Sequence, residues 1–349
     1  MLQKDESIET LRGLAILLVV ASHAIGDGPQ YAMKVSNDSA LRYFNYSFQF
    51  LRMPLFTVIA GWIYALHPVS AGGLKGFISR KSQRLLLPML FVGAAYYLIQ
   101  YFVPGTTNKN ELSAMWRLLV FPFTLYWYLP SLFFVFVIIA SLDNSGRLKP
   151  MKNWAMLLTL GIAMLIFRTY FITDEDPNFF SYKGVIYLLP FFLVGIGIQR
   201  YKEFFRHRII IALLWICLAS GLIIQQLVWF GKIDYFMSKG TGVGLMIGLT
   251  GTILLLKLKL RIHWLAWLGA YSYSIYLFHA FATAGARIIA NSIGIHVSLV
   301  IFFLALISGI GIPILADKVF NKLSITRLLL LGRYNWPSGR KFSTNTVSI

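Results

Sequence analysis

Ten long, predominantly apolar runs recur from one end of this chain to the other. About 20 apolar residues in a helix cross the hydrocarbon core of a bilayer. In lipid every backbone amide must be paired within the chain, so runs of this kind are helical. The runs cover residues 11–26, 43–66, 85–103, 117–141, 154–172, 184–200, 209–230, 240–256, 264–289 and 298–317. They predict an all-α, polytopic integral membrane bundle of about ten transmembrane helices.

The composition agrees with a chain that lies mostly in lipid. Of its 349 residues, 57% are hydrophobic and 13% are charged, whereas a soluble domain is about 25% charged. The connections between the runs are short and leave no room for a second folded domain. We therefore expect one membrane domain over residues 1–332, followed by a basic and then polar cytoplasmic tail over residues 333–349.

The net charge of +19 is spread in short clusters between the apolar runs. This distribution argues against a nucleic-acid partner, which would favour one basic stripe or tail. Counted over alternate connections, Lys and Arg number 21 on one side and 8 on the other, where the acidic turn Asp174-Glu175-Asp176 also lies. The positive-inside rule then predicts that both termini are cytoplasmic. We expect the protein to lie in the inner (plasma) membrane. The single cysteine, Cys217, excludes an intramolecular disulfide, and no metal-ligand spacing is present.

The first apolar run carries a cation near its start and an imidazole deep within it. Eleven residues separate Arg12 from His23, so on a helix both side chains share a face, roughly 16 Å apart. Ionisable groups within a bilayer usually point into a bundle or a wet cavity. The alternative is an interfacial Arg12 and a packed His23. Glu9 is placed to pair with Arg12 at i, i+3, and any group that orients His23 must come from another helix.

The second run places Arg52 at about the depth of His23, two residues before Pro54. Pro54 predicts a helix kink and Gly61 a close helix contact. No Asp or Glu lies in the interior of any run, whereas Arg52 and Arg168 do. A cationic interior suits an anionic ligand, and guanidinium groups suit phosphate. The other interpretation is an ordinary kinked span in which one arginine reaches a polar neighbour.

Two further groups have both a functional and an ordinary interpretation. Arg80 and Arg84 open the third run on the cytoplasmic side, where they suit the phosphates of a nucleotide-containing donor or act as positive-inside anchors. Trp127 in the fourth run suits an aromatic ligand wall or simple packing.

The ninth run carries a polar stripe that contains Ser272, Tyr276 and His279 at helical spacing. Neither a P-loop nor a dinucleotide fingerprint nor a serine nucleophile elbow is present in the sequence. An imidazole is the best-motivated catalytic group, because it can act as a general base near neutral pH.

Taken together, these residues resemble the membrane acyltransferase type 3 family, whose core is a ten-span bundle of about this length. Five motifs occur in the family's order, and each one alone is weak. The matching residues are Glu9, Arg12 and His23; Arg52, Pro54, Leu55, Phe56 and Gly61; Arg80, Arg84 and Pro88; Trp127; and Ser272, Tyr273, Tyr276 and His279. One departure is Ala60, where many members have a serine. We expect a stand-alone member, without the hydrolase-like domain that some relatives carry.

The resemblance implies an acyltransferase that takes an acyl group, usually acetyl, from acyl-CoA on the cytoplasmic side. The acceptor would be a hydroxyl of a surface polysaccharide, lipopolysaccharide or lipid-linked sugar of the cell envelope. His23, assisted by Arg12 and Glu9, would act as general base or carry the acyl group itself. The expected binding residues for donor and substrate are Arg52, Arg80, Arg84, Trp127, Tyr276 and His279.

Two other functions stay open from the sequence. A transporter or flippase for an anionic or lipid-linked substrate would have the same spans and interior cations. A non-catalytic membrane assembly factor would have kept the fold of the family without its catalytic activity. The sequence leaves the acceptor, the acyl chain and the oligomeric state open.

Overall fold

The computed structural model describes residues 5–70, 72–103, 111–173 and 175–334, and within these ranges the regular elements are all helical. The predicted all-α class is confirmed. Lys4, Lys109, Asp174 and most of the predicted tail, residues 335–349, lie outside the described residues. The α-helices are α1 (Glu6–Ile25), α2 (Ala40–Ser47), α3 (Arg52–Leu66), α4 (Leu74–Phe102), α5 (Arg117–Val120), α6 (Tyr128–Asn144), α7 (Met151–Phe171), α8 (Tyr182–Arg200), α9 (Lys202–Arg206), α10 (Arg208–Trp229), α11 (Gly242–Leu258), α12 (His263–Ala270), α13 (Ser272–Ser292), α14 (Ser298–Phe320) and α15 (Ser324–Leu331).

Eight helical segments of the described chain are long and apolar enough to cross a membrane. They are Glu6–Ile25, Ala40–Leu66, Leu74–Phe102, Leu112–Asn144, Met151–Phe171, Phe179–Arg200, Arg208–Trp229 and Ser298–Phe320. Helices α11 and α12 meet at a bend of 115° and form a ninth candidate if they are one span. The protein is thus a membrane-spanning helical bundle. The count of ten spans stays a prediction, because two of the predicted spans are not among these eight. Helix α11 alone has only 17 residues, and α13 carries the polar stripe.

Helix α1 lies at the centre of the bundle, between α3, α12, α13 and α14. Sixteen of its twenty residues are buried, whereas only two of the 22 residues of α10 are. Most of α10 therefore faces outward, where the bilayer supplies apolar surroundings. We call the end of the bundle where α1 begins the proximal side, and the end where α1 finishes the distal side.

Reciprocal glycines let α12 approach α1 closely. A methyl group at Gly13 would lie 1.9 Å from the carbonyl oxygen of Leu265, and one at Gly269 would lie 1.9 Å from that of Glu9. Each helix thus places its backbone against a glycine of the other, as small residues permit in membrane bundles. This contact fixes the height of α12 relative to the start of α1.

A second reciprocal pair joins α3 to α8. A methyl group at Gly61 would lie 2.0 Å from the carbonyl oxygen of Phe192, and one at Gly195 would lie 2.0 Å from that of Val58. The close helix contact predicted at Gly61 is confirmed. The pair holds α3, which begins with Arg52, firmly against its neighbour.

The second predicted span is not one continuous helix. Helix α2 ends at Ser47 and α3 begins at Arg52, so Pro54 lies in the first turn of α3. A proline there removes no internal hydrogen bond, because first-turn N–H groups have no helical acceptor. The expectation that Pro54 kinks the middle of a span was wrong. Arg52 is therefore the first residue of α3.

Among the described residues, three buried carboxylates lie near the proximal side, at or just beyond the ends of the predicted apolar runs. Glu9 pairs with Arg12 at 3.0 Å. Asp143 of α6 accepts two hydrogen bonds from Arg200, one of them at 2.9 Å. Asp317 of α14 accepts two from Arg333 at 3.1 and 2.8 Å, and one from the Ser274 hydroxyl. Each of these carboxylates therefore has a cationic partner from an arginine.

Candidate active site

A polar cavity of about 390 Å³ lies on the distal side, and we call it the histidine cavity. It is built where α1 ends and where α2, α3, α10 and α13 meet. Its lining residues are Val19, Ser22, His23, Asp27, Arg42, Asn45, Tyr46, Gln49, Arg52, Met53, Leu125, Trp127, Trp229, Lys239 and Tyr276. The volume lies within the range typical of small-molecule sites, about 300–1,000 Å³.

His23 reaches this cavity because α1 stops just after it. The helix ends at Ile25, and Gly26 turns the chain at φ 89°, a conformation that favours glycine. The carbonyl of Gly26 accepts hydrogen bonds from Arg42 and, at 3.0 Å, from Asn45 of α2. The end of α1 is thereby fixed to α2, and His23 is half-buried at the cavity wall.

The group from another helix that lies against His23 is His279 of α13. The two ring centroids are 5.1 Å apart, with the planes tilted by 47°. Nδ1 of His279 lies 3.0 Å from the carbonyl oxygen of Ile275 and 2.8 Å from that of Tyr276. Carbonyl oxygens only accept, so Nδ1 carries a proton, and in the neutral ring Nε2 bears the lone pair. Nε2 is buried and has no hydrogen-bond partner among the described residues.

Arg52, predicted to lie at about the depth of His23, lines the same cavity. Its guanidinium donates to Oδ1 of Asn45 at 2.7 Å. The amide nitrogen of Asn45 in turn lies 3.5 Å from a carboxylate oxygen of Asp27. The neutral amide of Asn45 therefore lies between the guanidinium of Arg52 and the carboxylate of Asp27.

A second, much narrower space of about 60 Å³ lies on the side of Arg12, and we call it the arginine slot. Its lining residues are Arg12, Phe56, Ile59, Ala60, Ile63, Leu85, Tyr128, Leu129, Leu132, Ser272, Tyr273 and Tyr276. The predicted Glu9–Arg12 ion pair is confirmed at 3.0 Å, with side chains only 10% and 8% exposed. Tyr276 lines both the slot and the histidine cavity, and its hydroxyl donates to the carbonyl of Leu125. Arg12 and His23 therefore serve two neighbouring spaces with one shared wall.

The two arginines of α4 differ in their surroundings. The guanidinium carbon of Arg84 lies 4.1 Å from the ring centroid of Tyr273, a residue of the slot lining. Arg84 also donates to the carbonyl oxygen of Leu331 at 2.6 Å. Arg80 lies one turn earlier and is exposed. The structure thus brings Arg84 to the slot, with Arg80 beyond it on the protein surface.

The lining residues of the histidine cavity that sequence reasoning missed include Asp27, Arg42, Asn45, Trp229 and Lys239. One signal was available, since Asp27 follows His23 by four residues. The others come from a connecting segment, from the end of α10 and from α2, and only tertiary packing brings them together. Within the described ranges, no three His, Cys, Asp or Glu side chains form a possible metal site.

Comparison with known proteins gives one result that bears on identity. A family model of the acyltransferase type 3 kind, described as an acyltransferase domain, matches residues 5–318. Neither the curated proteins nor the solved structures contain a match to the chain. The matched range includes Arg12, His23 and Tyr276, and with them both the slot and the cavity. The chain therefore belongs to the acyltransferase type 3 family, and the protein is a membrane-embedded acyltransferase.

Proposed function

We propose that the protein transfers an acyl group, most simply acetyl, from acyl-CoA to a sugar hydroxyl of a cell-envelope or lipid-linked glycan. The observation that carries this proposal is the wall that Tyr276 shares between the arginine slot and the histidine cavity. One space is narrow and mostly apolar, and the other is wide and polar. Such a pair of spaces suits a transferase whose two substrates differ in width and polarity and meet only when they react.

The arginine slot suits the donor. At about 60 Å³ it is too narrow for a sugar ring but fits the slender acylated end of a pantetheine arm. Arg80 and Arg84 lie on this side of the bundle, and guanidinium groups bind phosphate through paired hydrogen bonds. Because the proximal side is predicted to be cytoplasmic, acyl-CoA would approach from the compartment that contains it.

The histidine cavity suits the acceptor, with His23 beside the reacting hydroxyl. His23 takes the hydroxyl proton while the oxygen attacks the thioester carbonyl carbon. The carbon–sulfur bond breaks, the thiolate takes that proton, and the products are a sugar ester and free CoA. In the alternative route, a nitrogen of His23 attacks the thioester first, the carbon–sulfur bond breaks, and CoA leaves as the thiol with the proton of the ring. The sugar hydroxyl then takes the acyl group and returns its proton to the imidazole. Both routes depend on His23.

The test is release of the CoA thiol from acetyl-CoA by purified protein in nanodiscs, with envelope glycan extract added. We expect release and acetylated sugar with the wild type and neither with His23→Ala. His296→Ala, which changes an exposed histidine, is the control. Folded protein that neither binds acetyl-CoA nor releases the thiol would contradict the proposal. Flux of an anionic or lipid-linked substrate across vesicles, unchanged in His23→Ala, would favour a transporter instead.

A further inference from the structure

The lining of the histidine cavity carries an excess of positive charge. Arg42, Arg52 and Lys239 contribute cations, and among the lining residues Asp27 contributes the one carboxylate. A cation removed from water is costly unless an anion or several hydrogen bonds compensate it. We therefore examine how far each guanidinium is already compensated within the protein.

Arg42 is held by neutral partners. It is only 6% exposed, and its terminal nitrogens donate to the carbonyl oxygens of Gly26 and Val35. Its Nε is buried and has no hydrogen-bond partner among the described residues. Two carbonyl dipoles fix the side chain but leave its full charge at the cavity.

Arg52 is likewise paired with a neutral group. Of the described residues, only Asn45 accepts a hydrogen bond from its side chain. A guanidinium offers five N–H donors in a planar fork that matches a carboxylate or phosphate. The amide of Asn45 separates Arg52 from Asp27, so this carboxylate does not occupy the fork.

Aromatic side chains complete the lining and suit a carbohydrate ring. Trp127 and Trp229 both line the cavity, and Trp229 is fixed by Tyr46 and Tyr43 at centroid distances of 4.9 and 5.4 Å. The C–H faces of a pyranose are apolar and pack against indole rings, while its substituents reach polar groups at the rim.

Resting on the proposed function, we infer that the acceptor bound in the histidine cavity is an anionic sugar. It bears a carboxylate or a phosphate close to the hydroxyl that is acylated. Arg42 and Arg52 face this anionic group, and the exposed Lys239 at the rim acts as a specificity-determining residue. Arg52 then serves the acceptor and not the phosphates of CoA.

Three matched probes test the charge requirement: methyl β-glucuronoside, glucose 6-phosphate and methyl β-glucoside. Their binding is measured by calorimetry on the full chain in nanodiscs of neutral lipid, without acetyl-CoA. We expect at least one charged probe to bind about tenfold or more tightly than the neutral glucoside, because it gains charge-assisted hydrogen bonds. Preference for the uronate or for the phosphate identifies the source of the charge. Equal binding of all three probes, or no binding of either charged probe, overturns the inference.

Variants at the rim test the assignment of residues. Lys239→Gln should weaken binding of the preferred charged probe by about fivefold or more, and Lys239→Arg should preserve it. Lys232→Gln, an exposed change in the same connection, is the control.

Desulfo-CoA is titrated in parallel. If Lys239→Gln weakens CoA binding and not sugar binding, the cations serve the donor and the inference is wrong. Tight binding of a charged sugar without acetyl transfer would leave this inference standing while the proposed function fails.

Discussion

The imidazole of His279 lies against that of His23 across the α1–α13 contact, with ring centroids 5.1 Å apart. Because two main-chain carbonyls hold the proton on Nδ1 of His279, its buried Nε2 is left as an acceptor. We expect His279 to be a positioning residue whose Nε2 accepts a hydrogen bond from the ring of His23 after a small rotation.

Substitutions at His279 should separate this role from simple packing. His279→Gln places an amide near the position of Nε2 and should retain more turnover than His279→Asn, whose amide matches Nδ1. His279→Leu should lower turnover by about tenfold or more. General acid–base catalysis typically contributes about 100-fold or more, so tenfold is a lower limit. Binding of acetyl-CoA should not change. Equal turnover in all three variants would contradict the role, and His296→Leu serves as the exposed control.

The buried ion pair of Glu9 and Arg12 should be important for stability. Arg12→Gln leaves the Glu9 carboxylate buried without this partner, which we expect to cost about 3 kcal/mol. The pair of Glu203 and Arg206 has the same i, i+3 spacing and the same 3.0 Å distance, but its side chains are 84% and 68% exposed. Arg206→Gln should therefore cost less than about 1 kcal/mol. Thermal unfolding in detergent compares the two, and similar losses would show that burial does not matter here.

The glycine contact between α1 and α12 should tolerate no added methyl group. In Gly269→Ala the new carbon would lie 1.9 Å from the carbonyl oxygen of Glu9, so α12 must move away from α1. We expect a lower unfolding temperature together with reduced donor binding, because Arg12 lies just beyond this contact. Gly285→Ala on α13 is the control, since its added carbon would meet no atom within 4 Å. Unchanged stability of Gly269→Ala would mean that the helices are less closely packed.

The width of the arginine slot should limit the donor. Ala60 is only 3% exposed and lines the slot, so Ala60→Leu fills a space of about 60 Å³ with three further carbon atoms. We expect acetyl-CoA binding to weaken by about tenfold or more, as overpacking of a fitted site predicts. Sugar binding in the histidine cavity should not change. Ala212→Leu on the outward face of α10 is the control, and an equal effect there would refute a donor role for the slot.

Local spacing predicted much of this architecture. The apolar runs located the helices, the i, i+3 spacing predicted the Glu9–Arg12 pair, and counting along the helices placed Arg52 at about the depth of His23. These features depend on helix geometry alone, which has a fixed rise and rotation per residue. Tyr276 was likewise found from the polar stripe of the ninth run.

Features that depend on contacts between distant segments could not be predicted in this way. The break between α2 and α3 is held by contacts of Tyr43 and Tyr46 with α10, and no local signal marks it. Arg42 reaches the cavity only because the connection after Gly26 folds back onto the end of α1.

The ring of Tyr276, fixed through its hydroxyl to the carbonyl of Leu125, also has a consequence for bioenergetics. A membrane enzyme whose two substrates come from opposite compartments risks becoming a pore, and an open pore would dissipate the ion gradients across the membrane. With the donor bound from the proximal side and the acceptor from the distal side, as proposed, Tyr276, which lines both spaces, would act as an electrical seal as well as a wall. Smaller residues at position 276 should be selected against through leakage of protons, even where acyl transfer itself survives.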